Sequence, residues 1–176
     1  PEHWLMMRPV AGELSKMMIF SDGESHRGLR CMMQQVFDAR VMKSLSPMIQ
    51  STADQLLHDL PRRCDLLSSY SEIIPVAVIA HTLGLPTKDI PKLHRLATQW
   101  VNATAVHGNR VALLRGLRAM WALHRYFTKH NALKRKHPGD DILSHLVDLQ
   151  SKYGFSDDTL VAQAILLFVT GHETVQ

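Results

Sequence analysis

The stretch that decides the fold is Leu166–Gln176, LLFVTGHETVQ, in which an apolar run takes up a glycine, a histidine, a glutamate and a threonine. One helical face passes from apolar to hydroxyl-bearing side chains, through Gln163, Leu166, Leu167, Thr170 and Thr174. Glycine inside a helix costs about 1 kcal/mol relative to alanine, so Gly171 indicates that something approaches the backbone closely. We expect the Thr174 hydroxyl to donate to the carbonyl oxygen of Thr170, which bends a helix.

Two other interpretations of this segment compete. Taken alone, Gly171 and two threonines are more often tolerated imperfections of a buried helix than a functional site. The pair His172 and Glu173 also begins the HExxH motif, in which two histidines one turn apart bind zinc. Gln176 stands where the second histidine would be, so the sequence does not predict a metal site.

The composition indicates an ordinary globular protein with one core, because 176 residues are few for two domains. The net charge of +4 looks too scattered along the chain to indicate nucleic-acid binding. Cys31 and Cys64 form no disulfide or metal-binding pattern, which favours a cytoplasmic location. No signal segment opens the chain, and Ala164–Val169 is too short to cross a membrane. The first residue, Pro1, leads us to expect an excised or processed piece.

Apolar residues recur every three or four positions through most of the chain, which predicts a succession of helices. The predicted helices are residues 24–36, 41–60, 71–83, 86–105, 110–136, 142–150 and a last one capped by Ser156. Gly84 with Pro86 and the turn at 137–139 are typical of helix ends. The pattern allows a short strand at Cys64–Leu67. The expected class is therefore all-α or mainly α.

Four segments in the same order resemble one known family. Thr170–Thr174, TGHET, resembles the [A/G]-G-x-[D/E]-T signature on the central helix of cytochrome P450 enzymes. DGESHRGLRCMMQQVF, residues 22–37, resembles the D-G/P-x-x-H-x-x-x-R segment of the soluble bacterial type, on the helix beneath the haem. DLLSSYSEIIPVAVIAHTLGLP and GDDILSHLVDL, followed by FSDDTLVAQAILLFVTGHET, are similar to further stretches of that family. The resemblance covers nearly all of the chain.

The resemblance implies a mainly α cytochrome P450-like fold in which residues 1–176 form a single partial domain. The family's N-terminal sheet and its C-terminal haem-thiolate half, which carries the ligating cysteine loop and the E-x-x-R pair, have no counterpart here. Neither Cys31 nor Cys64 has the F-x-x-G surroundings of the ligating cysteine. We therefore expect a piece of a longer enzyme, with a b-type haem whose thiolate ligand this chain does not contain.

Several residues take haem-binding roles by the resemblance. His26 and Arg30 are one turn apart on one helix and would bind the haem propionates, with Phe37 packing near the ring. Gly171 would let the central helix pass over the distal face of the haem. Thr170, also assigned to the haem site, stands where the family more often has alanine or glycine. Without the resemblance, His26 and Arg30 would be read as ordinary surface residues.

Catalytic and substrate-contacting residues follow from the same comparison of motifs. Thr174 would hydrogen-bond the oxygen being activated, while Glu173 would relay protons from solvent, a kind of help typically worth about 10²–10⁴ in rate. Leu166, Val169 and Thr170 resemble positions that contact the substrate. No residue is assigned to a metal site of the chain's own.

The function implied is a haem-thiolate monooxygenase that inserts one atom of O2 into a small organic substrate. Electrons would come from a ferredoxin and ferredoxin reductase, and neither nucleic acid nor a membrane is expected as a partner. The alternative is a truncated, non-catalytic helical module that binds a partner or a small hydrophobic ligand. An unrelated helical bundle is a third possibility, which the four ordered segments disfavour.

Overall fold

A computed structural model describes residues 12, 14–37, 39–105 and 109–173. Seven α-helices lie in these ranges: α1 Gly23–Val36, α2 Ala39–His58, α3 Ile73–Thr82, α4 Ile90–Ala105, α5 Arg110–Lys136, α6 Ile142–Tyr153 and α7 Asp157–Glu173. Short helical turns cover Met18–Phe20, Leu67–Ser71 and Thr87–Asp89. The described part of the chain contains no β-strand, so the predicted mainly α class is confirmed.

The short strand predicted at Cys64–Leu67 is wrong, because this segment is a loop that leads into the turn Leu67–Ser71. Asp65 supplies the reason. Its carboxylate accepts from the backbone N–H of Leu67 at 3.1 Å and from the Ser68 hydroxyl at 3.1 Å, while its carbonyl oxygen accepts from the Ser69 N–H at 3.0 Å. Backbone groups that are satisfied locally in this way favour a turn over a strand pair.

The helix ends follow the signals in the sequence. Gly84 takes a left-handed conformation with φ 65°, and the N–H of Leu85 reaches back to the Ala80 carbonyl oxygen at 2.8 Å, the arrangement that closes many helices. Gly154 ends α6 in the same conformation, with φ 68°. At helix starts, Asp141 caps α6 by accepting from the Ser144 N–H at 2.9 Å. These local devices explain why the start of α6 was predicted at residue 142, whereas its end was predicted at residue 150 and lies at Tyr153.

Helix α7 runs through the core. All residues from Leu160 to Leu166 are buried, as is Phe168, so the helix is covered on every side over these turns. Helices α4 and α5 pack as a close hairpin beside it, because Gly116 has no side chain where a β-carbon would overlap that of Ala103. Among the described helices, none combines the length and apolar character that crossing a membrane requires.

Candidate functional site

The last described turn of α7 carries the residues that the sequence singled out. Its backbone is helical through Glu173, while the side chain of Glu173 and all of Thr174 lie outside the described residues. Their catalytic roles therefore stay predictions. A hydrogen bond of the kind expected at Thr174, from a threonine hydroxyl to the carbonyl oxygen four residues earlier, occurs one turn before it: the Thr170 hydroxyl donates to the Leu166 carbonyl oxygen at 2.7 Å.

Gly171 is explained by packing between two helices. A β-carbon placed at this position would lie 3.0 Å from both Cδ1 and Cγ1 of Ile79, on α3. Such a distance is shorter than an ordinary carbon–carbon contact, so alanine would force the Ile79 side chain to shift by a few tenths of an ångström. The close approach inferred from the sequence is real, and in the described residues its partner is α3.

A cleft between α1 and α7 brings three of the predicted site residues together. We call it the α1–α7 cleft; its volume is about 490 Å³. His26 from α1 and Leu166 and Thr170 from α7 share its lining. The complete lining is Met18, Ile19, Ser21, Asp22, His26, Met33, Leu166, Leu167 and Thr170. The sequence predicted haem binding for His26 and Thr170 and substrate contact for Leu166 and Thr170, and the cleft brings these three residues together.

Arg30 and Phe37 lie outside that lining. Arg30 is exposed on α1, one turn beyond half-buried His26. Phe37 follows the last residue of α1 and keeps 39% of its surface exposed. The structure therefore does not bring either residue into the lining of the cleft, and their haem-binding roles stay predictions.

A second, more enclosed cavity lies on the other side of the turn Met18–Phe20. We call it the α4–α7 cavity; its volume is about 260 Å³ and its walls are almost wholly apolar. All three residues predicted to contact substrate line it: Leu166, Val169 and Thr170. Thr170 and Leu166 belong to both cavities and form the partition between them.

The sequence analysis missed several residues of this cavity. Trp100 and Val101 come from α4, and Ile19 and Phe20 from the turn that precedes α1. Phe20 is exposed over 59% of its surface and Ile19 over 64%, which is unusual for large apolar side chains. No local pattern marks them, because their position depends on how the segment before α1 lies against α7.

One buried amide fixes that segment. Gln163 of α7 is fully buried; its Oε1 accepts from the Met18 N–H at 3.0 Å and its Nε2 donates to the Lys16 carbonyl oxygen at 2.6 Å. Lys16 is tied to α7 a second time by its ammonium group, 2.8 Å from the Asp158 carboxylate. This hydrogen bond lowers the pKa of Asp158 below its ordinary value. The wall shared by the two cavities is thus held by polar contacts to α7.

The described residues contain no cluster of three or more His, Cys, Asp or Glu side chains that could hold a metal ion. Cys31 and Cys64 are both exposed free thiols. The polar groups at the α1–α7 cleft are instead an imidazole, two hydroxyls and a carboxylate beside apolar walls, from His26, Ser21, Thr170 and Asp22. Such a cleft can hold a flat apolar group that carries polar substituents at its edge.

No family model matches the chain, but individual proteins do. It is 35% identical, over 90% of its length, to a vitamin D(3) 25-hydroxylase from Pseudonocardia autotrophica, of which it covers 38%. Its fold matches that of the myxobacterial cytochrome P450 CYP267B1 in complex with myristic acid, with a TM-score of 0.83 and 31% identity over 94% of this chain and 42% of the other.

A further solved structure is P450BioI in complex with an acyl carrier protein that carries hexadec-9Z-enoic acid. The TM-score is 0.81 at 26% identity, over 92% of this chain and 43% of that one. The chain thus spans about two fifths of the length of the relatives it matches. In sequence and in fold, the chain matches bacterial cytochrome P450 proteins over about nine tenths of its own length.

Proposed function

We propose that the protein carrying this chain is a haem-thiolate monooxygenase that inserts one oxygen atom from O2 into a small organic substrate. The observation that carries this proposal is the α1–α7 cleft, in which His26 shares a lining with Leu166 and Thr170. We place residues 1–176 in one partial domain of that enzyme. The relatives are named for reactions of this class, which supports the proposal.

We propose that a b-type haem binds at the α1–α7 cleft, with Arg30 contributing from outside the described lining. Met33, Leu166 and Leu167 offer apolar surface to a flat ring, while His26 and Arg30 stand one turn apart as donors for its carboxylates. Arg30 can bind a carboxylate through two hydrogen bonds. We assign Phe37 to packing near the ring, and Gly171 and Thr170 to the helix that passes over it. When bound, the haem supplies the activation of O2.

The thiolate ligand is assigned to neither cysteine of this chain. Cys31 and Cys64 are both exposed, and neither has the glycine-containing surroundings that the family uses for its ligand. The residues of this chain would therefore bind the haem ring and transfer protons, and would not ligate the iron.

The chain's own contribution to chemistry is proton control near the end of α7. We assign Thr174 to holding a proton or a water at the distal side of the cleft, and Glu173 to exchanging that proton with solvent. The Thr170 hydroxyl is already bonded to the Leu166 carbonyl oxygen. Because the Thr170 hydroxyl already donates its hydrogen to a backbone carbonyl, we assign Thr170 a packing role in the site instead of a hydrogen-bond donor role.

The α4–α7 cavity is the proposed substrate site. Leu166, Val169 and Thr170 line it together with the aromatic ring of Trp100, and its walls suit a hydrophobic molecule. The named relatives include a vitamin D(3) hydroxylase and a P450 crystallised with a fatty acid, which agrees with a hydrophobic substrate. We expect Leu166→Ala to widen the cavity and to change the substrate preference.

We propose a ferredoxin and its reductase as the source of electrons, and the cytoplasm as the location. Arg27 and Arg30 are exposed on α1, where they can attract an acidic electron-transfer protein. Rates of reduction should therefore fall when salt is added, because surface charges more than about 10 Å apart are screened at 0.1 M salt.

A carbon-monoxide difference spectrum of the reduced protein tests the cofactor. A red-shifted Soret band would support a thiolate-ligated haem. A protein without haem absorbance would instead favour the truncated helical module that binds without catalysing a reaction.

The proton path is tested separately in the haem-loaded enzyme. Thr174→Ala should raise the peroxide released per electron pair and leave the haem content unchanged. The matched control is Thr128→Ala on α5, where the hydroxyl also donates to a backbone carbonyl oxygen, that of His124, at 2.8 Å. Unchanged peroxide yield in Thr174→Ala would refute the role of Thr174 while leaving the haem assignment intact.

A further inference from the structure

Charge is distributed very unevenly between two parts of this chain. Residues 90–136, which form α4 and α5, contain ten of the twenty lysines and arginines and not one aspartate or glutamate. The remaining residues carry the other ten cations and all sixteen carboxylates, and are therefore net acidic. The expectation of scattered charge does not hold for these two helices, which pack against each other.

The solvent face of α5 combines these cations with exposed apolar side chains. Trp121 keeps 62% of its surface exposed, and the guanidinium group of Arg125 lies over its ring, 4.7 Å from the ring centre. Exposed side chains recur every third or fourth position and form a stripe along one face of the helix. Its members are Val111, Leu114, Arg118, Trp121, Arg125 and Lys129. No ion pair of Arg118, Arg125 or Lys129 occurs among the described residues, so their charges face solvent.

A groove of about 390 Å³ opens beside Trp121, between α5 and the start of α4. Lys92, Arg125 and Lys129 stand around it. The one carboxylate in its lining, that of Asp89, already accepts the Tyr126 hydroxyl at 2.9 Å, and Tyr126 stacks on His130 with ring centres 4.0 Å apart. The Asp89 carboxylate in the floor is thus already hydrogen-bonded to Tyr126, and within the described ranges no ion pair involves Lys92, Arg125 or Lys129 at the rim.

We propose that this face of α4 and α5 is a docking surface for an acidic protein partner, which places carboxylates in the groove and packs an apolar side chain on Trp121. Tryptophan, tyrosine and arginine are the residue types that dominate binding energy in protein interfaces, and here they surround one concavity. A protein partner fits better than a flat membrane or a nucleic acid, because the groove is concave and the exposed ring of Trp121 beside it offers an apolar contact for a side chain. This inference does not depend on haem or on the proposed oxidation.

The probe is a fluorescein-labelled helical peptide of about 18 residues, which spans about 27 Å, with glutamates and leucines on one face. A twin peptide carries glutamine at each glutamate position. Fluorescence anisotropy measures the binding of both to the purified protein at two salt concentrations. The variants are Arg125→Glu, Lys129→Glu and Trp121→Ala. Lys43→Glu and Leu57→Ala, exposed residues of α2, serve as matched controls, and circular dichroism checks that every variant is folded.

We expect the acidic peptide to bind and its glutamine twin to bind at least about tenfold more weakly. Each groove variant should weaken binding of the acidic peptide about tenfold, and neither α2 control should change it by more than about twofold. No binding, or equal losses in groove and control variants, would overturn the proposal. Tighter binding to anionic lipid vesicles or to a short DNA duplex than to the peptide would overturn it in favour of those partners.

Discussion

Lys134 Nζ lies 2.6 Å from Asp141 Oδ2, and this ion pair joins the end of α5 to the start of α6. Only 16% and 10% of the two side chains remain exposed. The second oxygen of the same carboxylate caps α6 by accepting from the Ser144 N–H at 2.9 Å. A β-carbon at Gly84, just past α3, would overlap both charged groups. The ends of three helices therefore meet at one half-buried pair of opposite charges.

Removing one member of this pair should destabilise the fold. Lys134→Met leaves the half-buried Asp141 carboxylate without its cation, and we expect a loss of about 1–3 kcal/mol in the free energy of unfolding. Asp141→Asn added to Lys134→Met removes the remaining charge and can keep the capping oxygen, so the double variant should recover most of that loss. Urea unfolding of the single and double variants measures the coupling. Additive losses would contradict it.

Gly84 and Gly154 form a matched pair of left-handed glycines. Both have φ near 65–68°, but a β-carbon at Gly154 meets nothing within 4 Å, whereas at Gly84 it meets Asp141 and Lys134. Gly154→Ala should therefore cost about 1 kcal/mol, the conformational strain alone. Gly84→Ala should cost at least about 2 kcal/mol more, because it also displaces the ion pair. Thermal unfolding compares the two variants. Equal losses of stability would show that the Lys134–Asp141 ion pair can move aside for the added methyl group at no cost in free energy.

The contact between Gly171 and Ile79 predicts a coupled effect of two substitutions. Alanine is the better helix former by about 1 kcal/mol, yet Gly171→Ala should destabilise the protein because its methyl group presses on Ile79. In an Ile79→Ala background the same change should become neutral or stabilising, since Cγ1 and Cδ1 of Ile79 are gone. A double-mutant cycle by chemical unfolding gives the coupling energy. A loss that is unchanged by Ile79→Ala would mean that α7 needs this glycine for another neighbour.

His130 predicts a loss of stability in mild acid. Its ring is buried, with Nδ1 2.9 Å from the Tyr126 carbonyl oxygen, and burial lowers its pKa below the ordinary 6.5. Above pH 6.5 both states are neutral; as the pH falls through that value, the unfolded chain takes up a proton before the folded one does. Stability should therefore decrease below about pH 6.5. His130→Gln should flatten this slope, and His58→Gln, at an exposed position, should not.

Gln163 predicts a local loss of order as well as a global loss of stability. Gln163→Leu keeps much of the volume but leaves the Met18 N–H and the Lys16 carbonyl oxygen without their partner, at a cost of about 1–3 kcal/mol for each such buried group. Hydrogen exchange at the Met18 amide should accelerate more than exchange in the middle of α5. The control is Gln34→Leu, at an exposed position of α1. Equal acceleration in both regions would indicate only general destabilisation.

Sequence reasoning reached the parts of this fold that short-range chemistry decides. Gly84 and Ser156 end or begin helices through contacts within a few residues, and both were predicted, whereas the helix predicted to end at residue 150 continues to Tyr153 before Gly154. The strand predicted near Asp65 failed because side-chain hydrogen bonds to the backbone outweighed the apolar pattern. A correct prediction at this segment has to compare the hydrogen bonds that the Asp65 side chain can make with the strand preference of its apolar neighbours.

The remainder depended on contacts between distant residues. The sequence indicated that something approaches Gly171, but Ile79 lies on a helix whose position no pattern reveals. The Met18–Phe20 turn entered both cavities because Gln163 binds it, a contact that neither segment predicts alone. The excess of lysine and arginine in residues 90–136 can be counted in the sequence. That these residues lie on one surface follows only from the packing of α4 against α5.

That excess of cations also gives the molecule an electric dipole in addition to its net charge. One pole is the solvent face of α5 with Arg118, Arg125 and Lys129, because Lys134 and Arg135 pair with Asp141 and Asp157; the other pole lies on the remaining residues, which carry all sixteen carboxylates. A cation-exchange resin therefore selects one face and an anion-exchange resin another, although the formal net charge is only +4. At low ionic strength the same dipole rotates the molecule before contact, so that any highly charged surface meets it in one preferred orientation.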